Sequence, residues 1–399
     1  MSEVAQAPQL RFPEFIGEWD VTNFGNISSI KRGASPRPIS SPKWFDKDSS
    51  VGWVRISDVT KSKKYLKKTE QYLSEDGINR SRKVDKGNLI MSICATIGKP
   101  IYTNFNVCIH DGFIVFDSLS EDKGFIYYLL EKIQKKWYRY GQPGTQVNLN
   151  SDIVSSEIFS IPTKPEQQKI AAFLTAVDSK IEQLSKKQEL LGEYKKGSMQ
   201  QIFSQAIRFK ADDGSEFPDW EEKNGNEIFD NISNKNHDSD LPILAITQEH
   251  GAIPRDLINY KMTVSDKSVS SYKVVETGDF IISLRSFQGG IEYSNYKGIC
   301  SPAYIILRPA IEIEKKFYKY YLKTYRYIQD LNRKLEGIRD GKMVSYKYFS
   351  EIKLPYPSIS EQAKIANFLS SIDNKIEQVG KQLRESKQFK KALLQQMFV

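Results

Sequence analysis

Between Glu166 and Phe203 apolar residues return every three or four positions. One row runs Ile170, Val177, Leu184 and Leu191, with Ser198 as its fifth member; the other runs Leu174, Ile181, Gln188, Lys195 and Ile202. The same spacing recurs between Glu361 and Phe398, in Ile365, Ile372, Val379, Ser386 and Leu393 and in Leu369, Ile376, Leu383, Lys390 and Met397. Seven of ten and eight of ten of these positions are apolar. That is a narrow heptad stripe, where a globular surface helix would bury a wider face. The spacing predicts two helices of about 40 residues, roughly 60 Å each, whose apolar rows form the seam of a two-stranded coiled coil. Pro162 and Pro165, like Pro355 and Pro357, bar the preceding chain from the helix, and Ser360 stands before Glu361 as an N-cap.

The two helices are one sequence written twice. "EQQKIAAFLTAVDSKIEQ" (166–183) and "EQAKIANFLSSIDNKIEQ" (361–378) match at twelve of eighteen positions at an offset of 195, and "KKGSMQQIF" answers "KKALLQQMF" farther on. Between them a fainter copy appears. Val84 to Phe116 aligns without a gap with Val275 to Leu307, Gly87 meeting Gly278 and Ser92 meeting Ser283. Short apolar runs here, "LIMSI", "FIVF" and "YIIL", are punctuated by Gly, Asn and Pro and predict strands. "RFPEF" and "EFPDW" open the two halves in the same way.

The expected plan is α+β: a mixed α/β domain over 1–160, a helix over 161–205, a second mixed domain over 206–353 and a second helix over 354–399. A hairpin serving stability alone would use a short loop, whereas about 150 residues separate these helices. Domain ends lie close together, so the second domain receives the chain from one helix and returns it beside the same point. A parallel pair would require a crossing of roughly 60 Å. The expectation is an antiparallel rod with pseudo-two-fold symmetry and a domain at each end.

Composition adds a partner class. Against 49 acidic residues stand 58 Lys and Arg, a formal charge of +9, which favours a polyanion. No run approaches the roughly 18 apolar residues of a membrane span, and the N-terminus lacks a secretory pattern; a soluble cytoplasmic protein is expected. Cys94, Cys108 and Cys300 suggest neither a disulfide framework nor a zinc site.

Catalytic constellations are missing from the sequence. It has no phosphate-cradling glycine loop and no Asn-Pro-Pro-aromatic or Asp-Pro-Pro-aromatic run. The three histidines, His110, His237 and His250, have no ligand spacing and read as structural or surface residues. The acids of "PDWEEK" crowd one local segment, which reads as a solvated turn. No catalytic residue and no metal ligand is nominated.

Basic residues interleaved with aromatic and polar ones are more suggestive. The first domain offers Arg55, Lys61, Lys63, Lys64, Arg80, Arg82, Arg139 and Gln146; the second offers Arg285, Ser286, Gln288, Arg333 and Arg339. Lysines of this kind neutralise phosphates, whereas Arg and Gln can make two-point contacts to guanine and adenine edges. Singly, each reads more readily as a solvated surface charge; that both domains carry such segments strengthens the collective reading.

These residues resemble a known family, the specificity subunits of type I restriction-modification enzymes. The resemblance lies in a proline-rich lead into "EQ..KIA.FL...D.KIEQ", present at 162–183 and again at 355–378, with "GTQVNL" (144–149) as the approach to the first helix and a looser "DGKMVSY" (340–346) before the second. It implies a non-catalytic subunit with two target-recognition domains, each reading half of a bipartite double-stranded DNA sequence. It further implies that the helices set the spacer and dock two methyltransferase subunits, and that two restriction/motor subunits join in the endonuclease. S-adenosylmethionine, ATP and magnesium would then belong to those partners, with no cofactor in this chain. Two other readings stay open: a protein–protein adaptor or tether with incidental charge, and a monomeric DNA-modifying enzyme, for which no catalytic residue can be named.

Overall fold

In the computed structural model, residues 7–140, 149–238, 240–258, 269–333 and 344–399 are described. The chain divides into two compact units, Met1–Ser185 with Lys381–Val399, and Lys186–Gly380. The long helices run Lys164–Phe203 and Ile359–Gln396, so each gives one part of its length to either unit. Pro165 falls in the first turn of the first helix, where a missing N–H costs nothing. The second helix corrects an expectation: Ser360 lies inside its first turn, and the hydroxyl of Ser358, 3.3 Å from the Glu361 N–H, is the capping acceptor. Only the residue three places before Glu361 reaches that orphan donor.

The first unit carries two larger sheets. One is ordered Ser29–Arg32, Phe113–Asp117, Leu89–Ser92, Pro100–Thr103, Tyr65–Leu66, antiparallel except for the last pair. The other is ordered Gln71–Tyr72, Gly52–Val54, Val107–Ile109, Arg82–Val84, with its two central strands parallel. Asp20–Asn23 and Ile158–Ile161 pair separately. The runs predicted as strands are fully buried at Leu89–Ser92 and nearly so at Phe113–Asp117, the composition of strands covered on both faces.

In the second unit four antiparallel strands are ordered Phe229–Ile232, Ile305–Pro309, Phe280–Ile282, Glu292–Tyr293, repeating the first four of the larger sheet. Glu221–Asn224 pairs with Lys353–Tyr356 as Asp20–Asn23 does with Ile158–Ile161. Gly87 and Gly278, aligned in the sequence, both turn the chain at positive φ, 82° and 95°, ahead of equivalent strands. A side chain there would be strained.

Each core is completed by helix. Ile170 and Leu174 of the first long helix join Leu393 and Leu394 of the second, with Met397 and Phe398 just past its end, in a cluster with Phe125, Tyr128 and Trp19. In the other unit Ile202 and Phe203 join Ile365, Leu369 and Ile372 around Phe317 and Tyr321. Leu174 is fully buried, so truncation to Ala should cost about 2–5 kcal/mol. Along the expected seam Ile170, Leu174, Leu184, Ile202, Ile365, Leu369, Ile372, Val379, Leu383, Leu393 and Met397 are buried, and Val177, Ile181, Leu191 and Ile376 half-buried.

One set of polar contacts is built twice. Arg11 grips Glu166 through two bonds of 2.7 Å, and Arg208 grips Glu361 at 3.2 and 2.9 Å. Gln167 donates to the Pro162 carbonyl and accepts from the Asp122 N–H; Gln362 does the same with Pro357 and Glu314. Asp122 and Glu314 each cap a helix, Lys123–Ile133 and Lys315–Tyr321. The buried Gln therefore ties domain helix, proline lead and long helix together, every polar atom at both sites satisfied within hydrogen-bond reach. Among the described residues no helix is long and apolar enough to cross a membrane.

Candidate nucleic-acid interface

In the first unit strand Val107–Ile109 ends in the corner His110-Asp111-Gly112 and returns as Phe113–Asp117. Phe113 N–H closes the turn on the His110 carbonyl at 3.0 Å. Gly112 is required, since a Cβ would lie 2.3 Å from the His110 ring and 2.5 Å from the Cys94 sulfur. Its N–H donates to His110 Nδ1 at 2.8 Å, which makes that nitrogen an acceptor; the 3.6 Å to Asp111 Oδ1 is too long for a hydrogen bond. The ring packs edge-on to Phe113 and beside Trp53. Burial pushes the His110 imidazole below its ordinary value.

Arginines converge on the same corner. Arg37 Nη2 lies 3.2 Å from Asp111 Oδ2, Ser35 donates to Asp111 Oδ1 at 2.7 Å, and Arg32 Nε donates to the Asp111 carbonyl at 2.8 Å. The Ser35 hydroxyl contributes most to holding the Asp111 carboxyl below its ordinary range, and the Arg37 charge acts in the same direction. Arg82 Nε in turn reaches the Arg32 carbonyl at 3.2 Å. A cleft of about 320 Å³ is lined by Ser35, Arg37, Ile39, Trp53, Arg55, His110 and Asp111. A second of about 150 Å³, lined by Arg32, Cys94, His110 and Asp111 among others, adjoins it.

Of the predicted residues, Arg55 lines the larger cleft, and Arg82 donates to the backbone carbonyl of Arg32, which lines the smaller one. Arg80 is exposed with its guanidinium 5.7 Å from the Trp44 ring. Lys63 is exposed, and Lys61 is exposed but paired with Glu70 at 2.6 Å. Lys64 is a correction: its ammonium turns inward, donating to Tyr128 at 2.9 Å and Thr175 at 3.0 Å, and burial lowers its pKa. The aliphatic stem packs while its head finds hydroxyls, which leaves it no phosphate to meet. Arg139 is held by the buried Glu157 and by Tyr140. Gln146 and Arg339 lie outside the described residues.

In the second unit Ser286–Gly289 forms one turn of helix after strand Phe280–Ile282. Ser286 is again a correction: it is 1% exposed, its hydroxyl accepting from the Ser283 N–H at 2.8 Å, so it shapes the turn and faces no ligand. Arg285 and Gln288 stay exposed. Around them Gln248 donates to the Arg285 carbonyl and Asn332 to the Phe287 carbonyl. Gly290, at φ 79°, lets the chain pass against Leu322, whose carbonyl a Cβ would meet at 2.0 Å. Asn332 brings in helix Tyr325–Arg333, with Tyr325, Arg326, Gln329 and Arg333 exposed. Arg333 is paired loosely with Asp330 at 3.3 Å.

Sequence reasoning missed Arg32, Arg37, His110 and Asp111 in the first unit and Gln248, Tyr325, Arg326 and Gln329 in the second. Asp111 and Gly112, ahead of the "FIVF" run, are turn-forming residue types. What the sequence does not display is that "SIKRGASPR", about 75 residues earlier, folds onto that corner.

Two stretches of the chain, 16–191 and 218–385, match the type I restriction modification DNA specificity domain. A Methanocaldococcus jannaschii protein provisionally described as the type I restriction enzyme MjaX specificity subunit is 27% identical over 291 residues, covering 68% of this chain and 66% of that one. The type I restriction enzyme MjaVIII specificity subunit of the same organism is 24% identical over 419 residues, covering 96% and 92%. Among solved structures, the type I restriction-modification system S subunit from M. genitalium superposes with a TM-score of 0.59 at 16% identity, covering 98% of this chain and 99% of that one. At that identity the likeness is one of fold.

Proposed function

Because the chain belongs to the type I restriction modification DNA specificity family, we propose that it is the DNA-recognition subunit of a type I restriction-modification complex, each unit reading one half of a bipartite target. It is a non-catalytic subunit: it selects sequence and leaves bond-making to its partners. The observation that carries this reading is duplication. Two family matches fall one in each half of the chain, and each unit repeats the same anchor and carries its own exposed basic face.

On this reading the long helices form an antiparallel two-stranded coiled coil with pseudo-two-fold symmetry. Lys195 pairs with Asp373 at 2.6 Å and Lys390 with Asp178 at 2.8 Å, each a lysine from one helix on an aspartate of the other at matched repeat positions; this supports the arrangement. The rod sets the unread spacer and, with its exposed faces, docks two methyltransferase subunits, which two restriction/motor subunits can join. S-adenosylmethionine for adenine N6 methylation, and the ATP and magnesium of translocation and cleavage, belong to those partners. Arg55, Lys63, Arg80 and Arg82 in the first unit, and Arg285, Gln288 and Arg333 in the second, contact DNA.

Selection of a random duplex pool by the full chain, with and without the host's methyltransferase subunit, tests the proposal. A bipartite motif with an unread gap is expected. Sequence-independent retention, by a chain that still binds the methyltransferase, would leave the adaptor reading in its place.

A further inference from the structure

We propose that Arg37, held by Asp111, reads a guanine in the half-site of the first unit; the inference rests on the DNA-recognition reading above and names a specificity-determining residue within it. The Arg37 side chain is 73% exposed, yet one terminal nitrogen is anchored 3.2 Å from Asp111 Oδ2. That carboxylate is itself fixed, by Ser35 on its other oxygen and by Arg32 on the Asp111 carbonyl. A long side chain is thus pre-positioned at the mouth of a cleft, with its remaining donors unused among the described residues. Guanine offers two acceptors, O6 and N7, at the spacing of a guanidinium fork. Ordering the fork beforehand removes most of the rotamer entropy lost on contact.

Charge decides between base and backbone. A phosphate anchor works best as an isolated cation, because the contact is paid for by counterion release. Arg37 is not isolated: Asp111 neutralises it and would repel a phosphate brought to the same guanidinium. A neutral base edge meets no such repulsion. Arg55 at the cleft wall, with no ion pair among the described residues, is better suited to a phosphate.

The test uses the full chain assembled with the host's methyltransferase subunit and a random duplex pool, sequenced after selection, for the unsubstituted chain and for Arg37→Ala, Arg37→Lys and Asp111→Asn. Arg37→Ala should reduce discrimination at a single guanine position roughly 5- to 150-fold, the other half-site being unchanged. Arg37→Lys keeps the charge and loses the fork, so it should lose the same position while retaining the salt dependence of binding; its surface site makes misfolding no explanation. Asp111→Asn should give a partial loss at that same position. Unaltered discrimination in Arg37→Ala and Arg37→Lys overturns the inference, as does weakening of all sequences alike with a salt slope smaller by about one. A failure of the unsubstituted complex to select any motif is a separate result and removes the DNA-recognition reading itself.

Discussion

Lys390 of the second long helix lies 2.8 Å from Asp178 of the first, and the same nitrogen is 2.8 Å from both oxygens of Glu131. A lysine in an otherwise apolar heptad row is tolerated because two carboxylates and the Tyr128 ring, 5.4 Å away, receive it. Lys390→Met should therefore destabilise despite better hydrophobic matching, by about 1–3 kcal/mol for a half-buried pair. Thermal or urea unfolding reads this. A variant as stable as the parent would mean that the pair contributes nothing measurable.

The Arg208 anchor makes a stronger demand. Glu361 is fully buried and accepts from Arg208 and from Trp220 Nε1 at 2.9 Å. Arg208→Ala strands that carboxylate, and such losses run to about 3–5 kcal/mol. Trp220 fluorescence reports the same site. Urea unfolding should show a lower midpoint with altered Trp emission; an unchanged midpoint contradicts the structural weight given to this pair.

Much of this architecture was readable because it is periodic or duplicated. The heptad rows disclosed both long helices, and the 195-residue offset sets Lys195 against Lys390 and Asp178 against Asp373, although that these residues pair across the helices comes from the structure alone. Strand runs such as "FIVF" were legible from buried apolar composition. The cleft was not. Arg37 and Asp111 are 74 residues apart and meet only because two strands bring their ends together. Lys64 was misjudged for a related reason: a basic run does not disclose which of its members faces the core. Ser360 was misplaced by two residues because two serines, Ser358 and Ser360, precede Glu361 and only cap geometry selects between them.

His110 provides a pH handle on the first unit. Burial is the largest cause pushing its imidazole below the ordinary 6.5, Arg55 acts in the same direction, and Asp111 opposes both. Between the depressed folded value and 6.5 the unfolded chain binds more protons. The contribution is thus fully present above pH 6.5 and is lost as pH falls through the folded value. His110→Gln should lose less Tm between pH 7 and pH 5 than the unsubstituted chain. Parallel profiles would show that protonation of this ring does not limit stability.

Exchange of residues 206–350 for the corresponding segment of a relative tests independence of the two units. Each has its own hydrophobic core and its own anchor on a long helix. One half-site should change in the methylome of the host and the other persist. A change in both would mean that recognition is not modular.

The last prediction concerns the spacer. If the paired helices act as a ruler, lengthening the rod should widen the unread gap and leave the bases read unaltered, because the basic faces lie on the recognition units. Duplicating Leu184 to Lys187 in the first helix adds about 6 Å at roughly 1.5 Å per residue, and slightly more than one turn. DNA rises about 3.4 Å per base pair, so length alone allows one or two added pairs. Rotation chooses between them. Four residues overshoot a full turn by about 40°, close to the roughly 35° of duplex twist per base pair at 10 to 10.5 pairs per turn. One added base pair therefore satisfies the twist, whereas two would leave the second unit rotated away from its groove by about another 35°. Methylome mapping of the variant should show identical half-sites and a gap longer by one. An unchanged gap with both half-sites intact would mean that the helices hold the subunit together without measuring the target.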